Sequence, residues 1–289
     1  MNQLLAIAFL ISSLNAFSQT PEQSLWWNNT SIFNPAFTGL SYNQDFTVSG
    51  RIVNPSLASN IGNLSALYDM QLGSTDKFKT GLGLNYIFND QSSIRTNNLR
   101  LNIAEHIHFS EHHSLSAGIG LGLETIYYAL EWVAVDPVDP SLPESFTREG
   151  KFRWNAGVIC RLKGFTIGVA ATNLNESTIG ENPFYRSSTT YSGQITYEVK
   201  VSEQLILNPR VNILTYDDFS LLQTNITALF QDQFLLGVSY SDNLKLGVNA
   251  GYVLNNRLYT NYAFQRSYGK LSFVRGNTHE ISLAYRLKK

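Results

Sequence analysis

The sequence is poor in cysteine, in charge and in long apolar runs. Cys160 is the one cysteine among 289 residues, so no disulfide can form within the chain. Charged residues make up 15% of the chain, against about a quarter in an average soluble domain. After the first twenty residues, no apolar run approaches the roughly 20 residues that a membrane helix needs. The formal net charge of −1 gives no reason to expect a nucleic-acid partner.

Aromatic residues, in contrast, are abundant. They make up 12% of the chain, with 15 Tyr and 17 Phe, while the mean hydropathy is only −0.12. A transmembrane β-barrel produces this combination, because polar lumen-facing residues alternate with apolar lipid-facing residues and dilute the hydropathy.

The first 18 residues resemble a secretory signal peptide. An apolar run over residues 4–14 is followed by Ala16-Phe17-Ser18, which resembles a cleavage site before Gln19. No Lys or Arg precedes the run, and an N-terminal core strand or helix is the alternative. We interpret residues 1–18 as a signal peptide, which directs the mature chain out of the cytoplasm.

Residues 19–42 show no strand or helix period, because Pro, Asn and Gly interrupt it. The same stretch is too aromatic for a disordered tail. We therefore expect an ordered but irregular segment, periplasmic or plug-like, that packs under or inside the barrel. The residues assigned to the plug are Trp26, Trp27, Phe33, Asn34, Pro35 and Phe37.

From residue 43 to residue 289, apolar and polar side chains alternate in a series of strand-length segments. The last segment, residues 278–287, places Ile281 and Leu283 on one face and Glu280 and Ser282 on the other. Its length suits a tilted strand that crosses a bilayer. The sequence predicts an all-β fold, a transmembrane antiparallel barrel of about 14 strands whose last strand closes on the first.

The alternative is a soluble β-sandwich or a lipocalin-like barrel, with the apolar face turned inward. The apolar series almost lacks Lys and Arg, and the polar series is rich in Gly, Asn and Ser, which favours lipid outside. Glu105 is an exception that interrupts the apolar face. The three longest predicted connections, near 131–150, 173–187 and 268–277, all fall on the side assigned to the cell exterior.

We find no catalytic, metal or cofactor motif in the sequence. A solvated turn explains the histidine cluster better than a metal site, and an interfacial position explains His279 better than a lipase base. The carboxylates of residues 136–140 could hold calcium, but a rigid Pro-rich loop is the simpler interpretation. The glycines at 118, 120 and 122 form a lumen-facing stripe that leaves space for the plug. The clustered histidines are His106 and His108, which we expect on the lumen face of a strand, and His112 and His113, which we expect in the following turn.

Three parts of the chain carry a resemblance to a known family. Residues 33–39 read F-N-P-A-F-T-G, and residues 277–285 read N-T-H-E-I-S-L-A-Y. Between them, residues 136–143 read D-P-V-D-P-S-L-P, and T-N-L-N follows at 172–175. Together these segments resemble the PorP/SprF family of the type IX secretion and gliding machinery of Bacteroidetes.

The resemblance implies a non-enzymatic barrel in the outer membrane of a Gram-negative bacterium. It implies two protein partners, the type IX secretion components and a large secreted surface protein, adhesin-like, with a C-terminal sorting domain. No cofactor is implied. The candidate partner-binding residues lie in the loops predicted to face outward: Asp136, Asp139, Asn173 and Asn175.

Two other functions stay open at this point. A diffusion channel or a hydrophobic-solute transporter would need an open lumen or a lateral gap. An outer-membrane lipase would need a Ser-His pair that includes His279.

Overall fold

The computed structural model describes most of the chain from residue 22 onward. The described residues are 22–54, 61–75, 77–91, 94–110, 112–128, 148–175, 177–178, 186–216, 219–269 and 276–287. The strands are β1 Gln44–Asn54, β2 Ile61–Ser74, β3 Phe78–Gln91, β4 Ile94–Ser110, β5 His113–Tyr128, β6 Arg148–Leu162, β7 Phe165–Thr172, β8 Ser177–Thr178, β9 Arg186–Ser187, β10 Thr190–Tyr197, β11 Val199–Ser202, β12 Leu205–Tyr216, β13 Phe219–Phe230, β14 Phe234–Ser241, β15 Lys245–Leu254, β16 Leu258–Ser267 and β17 Asn277–Leu287.

Within this described part, the strands form a closed antiparallel barrel with a wall of 14 strands. β10 and β11 continue one another across Glu198 and both pair with β12, so they act as one wall strand. β8 and β9 form a separate pair outside the wall. β17 pairs with β1 along its whole length, with Val48 opposite Leu283, and this pairing closes the sheet. The predicted barrel, its strand number and its closure are confirmed.

Side chains along the strands alternate between the outer surface and the lumen, as the strand period requires. In β4, Leu99, Leu101 and Ile103 face outward and are exposed, whereas Arg100 and Asn102 face the lumen and are buried. The same arrangement holds in the neighbouring strands, so the outer surface is apolar and the interior is polar. This is the face assignment that lipid outside requires, and it excludes the soluble alternative.

Glu105 interrupts the outward apolar series, as the sequence predicts. It is exposed on β4, and the Thr80 hydroxyl on β3 donates a hydrogen bond of 2.7 Å to its carboxylate. Phe78 and Phe109 lie beyond it along the outer surface. Thr80 therefore supplies a polar partner that hydrocarbon would not.

The two ends of the barrel differ in their connections. One end carries the connections at 129–147, 173–189 and 268–276, and we call it the long-connection end. The other end, the short-turn end, carries tight turns in which Lys163 and Asn255 adopt positive φ values of 44° and 51°. Such values suit the turns that match the twist of a hairpin. In outer-membrane barrels the short turns face the periplasm.

Among the described residues, no helix is long and apolar enough to cross a membrane. Aromatic pairs lie on the outer surface close to the short-turn end. Phe165 and Tyr197 stack with ring centres 4.0 Å apart, and Phe234 packs edge-on against Tyr252. Rings at this level match the aromatic girdle of a membrane barrel.

Candidate functional site

Residues 22–43, called the lumen segment below, lie inside the barrel. Three short helical turns make up its regular part: Trp26–Asn28, Thr30–Phe33 and Pro35–Phe37. These turns bond backbone groups locally, so the segment needs no strand partner along its length. Ordered irregular structure is what the Pro and Asn residues of this stretch predict.

Asn34 and Pro35 shape the middle of the lumen segment. The Asn34 side-chain oxygen accepts a hydrogen bond of 2.9 Å from the Ala36 amide, which caps the third helical turn. Pro35 occupies the first helical position, where its missing N–H costs nothing and its fixed φ suits the turn.

The aromatic residues of the segment pack into two apolar clusters inside the lumen. Trp26 and Phe33 are buried with Ile32 against four apolar side chains that the wall turns inward. Phe37 packs on a second cluster with Ala36, Leu40 and Ile159. The four wall residues of the first cluster are Leu67, Ile87, Leu214 and Leu221.

Asn34 joins the lumen segment to two wall strands at once. Its amide nitrogen donates to the carbonyl oxygens of Val158 on β6 and Val169 on β7, at 3.2 and 3.3 Å. This close approach depends on glycine in the wall. A Cβ at Gly157 would overlap the Asn34 side chain, and one at Gly168 would lie 3.0 Å from its amide nitrogen.

Glycines also make room for the backbone of the segment. A Cβ on Gly118 would lie 2.5 Å from the Ala36 amide nitrogen, and a Cβ on Gly81 would collide with the Thr38 carbonyl. Gly39 has a φ of 67°, a conformation that other residues rarely adopt, and it packs against Gly81.

The predicted glycine stripe is only partly a seat for the plug. Gly118 contacts the lumen segment, but the side chains nearest to Gly120 and Gly122 belong to the wall. A Cβ on Gly120 would lie 2.5 Å from Asn102, and a Cβ on Gly122 would lie 2.9 Å from Arg100. The sequence could not show this, because long polar side chains on β4 take the space that two of the glycines leave.

Wall side chains bond the carbonyl groups of the segment. His106 lies between the Thr38 carbonyl at 2.9 Å and the Ser116 hydroxyl at 2.8 Å, so its Nε2 donates and its Nδ1 accepts. Arg100 donates a hydrogen bond of 3.0 Å to the Ile32 carbonyl. His106 was predicted to face the lumen, and the structure gives it a role in holding the segment.

The first residues of the segment are fixed at the long-connection end. The Glu280 carboxylate on β17 accepts hydrogen bonds from the backbone amides of Ser24 and Leu25. The Ser24 hydroxyl donates a further bond of 2.8 Å to Gln265 on β16. The segment therefore runs through the lumen from this end to the start of β1 at the short-turn end.

Glu22 forms a buried charge cluster beside that anchor. Its carboxylate pairs with Lys245, accepts a hydrogen bond of 3.0 Å from Asn243, and lies 3.7 Å from the Arg51 guanidinium. Burial alone would raise the pKa of Glu22. The attraction of Lys245 and Arg51 outweighs burial, so the pKa is lowered from its ordinary value of 4.5.

A cavity of about 240 Å³ lies between the lumen segment and the wall. It is near the short-turn end, where Arg161, Arg210 and Arg286 line it. Arg286 is paired with Asp45 at 3.1 Å. Arg161 and Arg210 have no carboxylate within ion-pair distance in the described part of the chain. Other lining residues are Trp27, Asp45, Asp69 and Gln194.

The four candidate partner-binding residues fall in two groups. Asp136 and Asp139 lie outside the described residues. Asn175 donates to the Phe152 carbonyl and accepts from the Trp154 amide at 3.2 Å, so its side chain holds the end of β7 against β6. The backbone amide of Asn173 donates to the wall in a similar way, and its role in partner binding stays a prediction.

The residues considered for metal binding and for lipase chemistry do not form such a site in the described part of the chain. Among the described residues, no three His, Cys, Asp or Glu side chains are placed to hold a metal ion. His279 lies on the outer face, as predicted, and its Nδ1 is 2.8 Å from the Tyr262 hydroxyl.

Sequence reasoning missed Glu22, Glu280 and the two arginines of the cavity. The available signal was their ionisable character: the last three occupy lumen-facing positions of strands, where burial requires a partner. Which group each of them meets depends on how the segment crosses the lumen, and alternation does not reveal that path.

Solved structures of similar fold are outer-membrane barrels. The toluene transporter TbuX of Ralstonia pickettii has a TM-score of 0.55 at 11% identity, covering 89% of this chain and 93% of its own. The Acinetobacter baumannii outer membrane protein Omp33 has a TM-score of 0.51 at 9% identity, covering 86% and 100%. A Pseudomonas aeruginosa FadL homologue has a TM-score of 0.51 at 11% identity, covering 89% and 94%. At such identities the likeness concerns the fold alone.

No curated protein matches the chain. The closed barrel and its apolar outer face place the protein in the outer membrane, in agreement with the folds that it resembles. The model of the type IX secretion system membrane protein PorP/SprF matches residues 15–285, nearly the whole sequence. The chain therefore belongs to the PorP/SprF family of type IX secretion membrane proteins.

Proposed function

We propose that this barrel has no enzymatic activity and holds a large secreted surface protein at the cell exterior, in association with the type IX machinery. The partner would be adhesin-like and would carry a C-terminal sorting domain. Family membership supports the association with type IX secretion. The observation that carries the proposal is the filled lumen.

The lumen segment leaves little room for transport. Leu25, Ala36 and Thr38 are fully buried at successive levels of the barrel. The segment is bonded to the wall at both ends and in the middle, through Glu280, Asn34 and His106. A ring closed in this way can act through the surfaces at its two ends rather than through its bore.

The long-connection end offers the larger of these surfaces. Long connections in outer-membrane barrels face the cell exterior, and exposed loops of a rigid scaffold commonly carry binding function. The candidate contacts are again Asp136, Asp139, Asn173 and Asn175. Lipase activity has little support, because His279 is bonded to a tyrosine on the lipid-facing surface.

A solute channel is the second candidate. Its support is the resemblance of the fold to a toluene transporter, which carries no information on the lumen of this chain. Transport would require the lumen segment to leave its contacts with the wall.

Two measurements separate these functions. In liposome swelling assays, the wild-type protein should be no more permeable than protein-free liposomes, and deletion of residues 20–37 should increase permeability. In cells, the tagged wild-type barrel should co-purify with a protein that carries a sorting domain. A matched variant, with residues 129–147 replaced by a Gly-Ser linker of equal length, should insert normally and lose that protein. Rapid swelling with the wild type, together with no such partner, would favour the channel.

A further inference from the structure

Two arginines in the cavity at the short-turn end have unused hydrogen-bonding capacity. The Arg161 guanidinium donates a hydrogen bond of 2.8 Å to Ser41, and that of Arg210 donates one of 3.2 Å to Asn225. Arg210 also lies over the Trp27 ring, 5.4 Å from its centre. Each guanidinium has five N–H donors, and these contacts fix the groups in place while leaving donors for another acceptor.

Gln194 provides a second, independent sign of a ligand. Its side chain lines the same cavity and is only 2% exposed, yet neither its amide oxygen nor its amide nitrogen has a hydrogen-bond partner among the described residues. Buried polar groups in native proteins are almost always bonded. An amide with both atoms free in a cavity suits a ligand that can both accept and donate.

The charge and size of the cavity restrict what can bind. Arg286 and Asp45 neutralise one another in their ion pair. The remaining lining charges are Arg161 and Arg210 against Asp69, and the Glu198 carboxylate lies outside the lining but near both arginines. A carboxylate would bring one negative charge to the two guanidinium groups, whereas a phosphate dianion would bring two beside Asp69. A volume of about 240 Å³ admits a group the size of one residue.

The cavity is accessible from the short-turn end. Ser41 at its edge is exposed, and short turns of outer-membrane barrels face the periplasm. We propose that this cavity binds a single carboxylate group carried by a peptide segment of a periplasmic protein. Arg161 and Arg210 would bind the carboxylate oxygens, and Gln194 would bond the adjacent peptide group. This contact is separate from the surface protein proposed for the other end.

The test uses the full-length barrel in detergent micelles and short synthetic probes. The probes are N-acetyl-Gly-Gly-Gly with a free carboxyl terminus, the same peptide amidated, amidated N-acetyl-Gly-Glu-Gly, and inorganic phosphate. Binding is followed by calorimetry and by the fluorescence of Trp27, with Trp27→Phe as the optical control. We expect saturable binding of a carboxylate peptide and at least tenfold weaker binding of the amidated peptide and of phosphate. The relative affinities of the two acids would show whether a chain terminus or an acidic side chain is recognised.

Variants decide whether the binding occurs in this cavity. Arg161→Gln and Arg210→Gln should each weaken carboxylate binding at least tenfold, and Arg266→Gln, on the outer face of β16, should leave it unchanged. Gln194→Leu should weaken binding while raising thermal stability, because it removes an unpaired buried amide. Equal affinity for acid and amide, or binding unaffected in folded Arg161→Gln/Arg210→Gln protein, would overturn the site. Tighter binding of phosphate than of either acid would overturn the choice of carboxylate.

Discussion

Replacing Asn34 by Ala should release the lumen segment from the wall without unfolding the barrel. The Asn34 side chain is fully buried and makes three hydrogen bonds, to the carbonyls of Val158 and Val169 and from the Ala36 amide. A buried hydrogen bond contributes about 0.5–1.5 kcal/mol net. The variant should therefore lower the free energy of local opening by about 2–4 kcal/mol. The cavity left by the missing side chain contributes to this destabilisation.

Hydrogen exchange followed by mass spectrometry measures this opening directly. A change of about 1.4 kcal/mol is tenfold in an equilibrium constant, so exchange in peptides from residues 22–42 should be faster by about 30- to 800-fold. Peptides from β5, which is held by its own ladder bonds, should exchange at the wild-type rate.

Two matched variants sharpen this result. Asn28→Ala removes a similar side chain from the same segment, but the Asn28 amide nitrogen has no hydrogen-bond partner in the part of the chain that the structure describes, so its effect should be small. Asn34→Asp keeps the cap on Ala36 and loses both donated bonds to the wall, so it should be at least as damaging as Asn34→Ala. Wild-type exchange in Asn34→Ala would refute the argument that this side chain holds the segment.

Three further predictions concern the membrane face, the orientation and the anchor. Leu121→Arg, on the outer face of β5, should destabilise the inserted barrel by about 2–4 kcal/mol if the position is at mid-membrane, measured by urea titration in liposomes. An epitope tag after Ser141 should bind antibody on intact cells and one after Lys163 should not; labelling in the opposite sense would reverse the orientation. The lowered pKa of Glu22 stabilises the anchor above its unfolded value of 4.5, and this stability is lost as the pH falls through the lower folded pKa. Protection from exchange in residues 22–29, relative to the intrinsic exchange rate at each pH, should therefore fall on acidification below 4.5, and Glu22→Gln should reduce this dependence.

The barrel itself was predictable because the alternation of apolar and polar residues that specifies it lies within each strand. Alternation in a segment such as β4 shows which side chains share a face, and the apolar character of Leu99 and Leu101 shows which face meets lipid. Closure followed from the cost of leaving the β17 edge unpaired.

The interior was harder to predict, because its contacts join distant parts of the chain. Asn34 bonds to Val158, 124 positions away, and Ser24 bonds to Glu280, 256 positions away. The aromatic density of the lumen segment indicated that it must be buried. Its direction and the cavity it leaves beside Arg161 depend on side-chain shapes on facing strands, which a one-dimensional pattern does not encode.

One of the stretches that together carry the family resemblance, F-N-P-A-F-T-G at residues 33–39, is also the stretch that closes the bore. Asn34 bridges β6 and β7, and Pro35 and Ala36 form a turn small enough to lie on Gly118. The Thr38 carbonyl is bonded to His106, and Gly39 turns the chain toward β1. These positions therefore have a physical reason within the lumen, and Phe37 and Gly39 also line the cavity at the short-turn end. A motif used in this way holds the barrel closed, which supports our proposal that the protein acts through what binds at its two ends rather than through its bore.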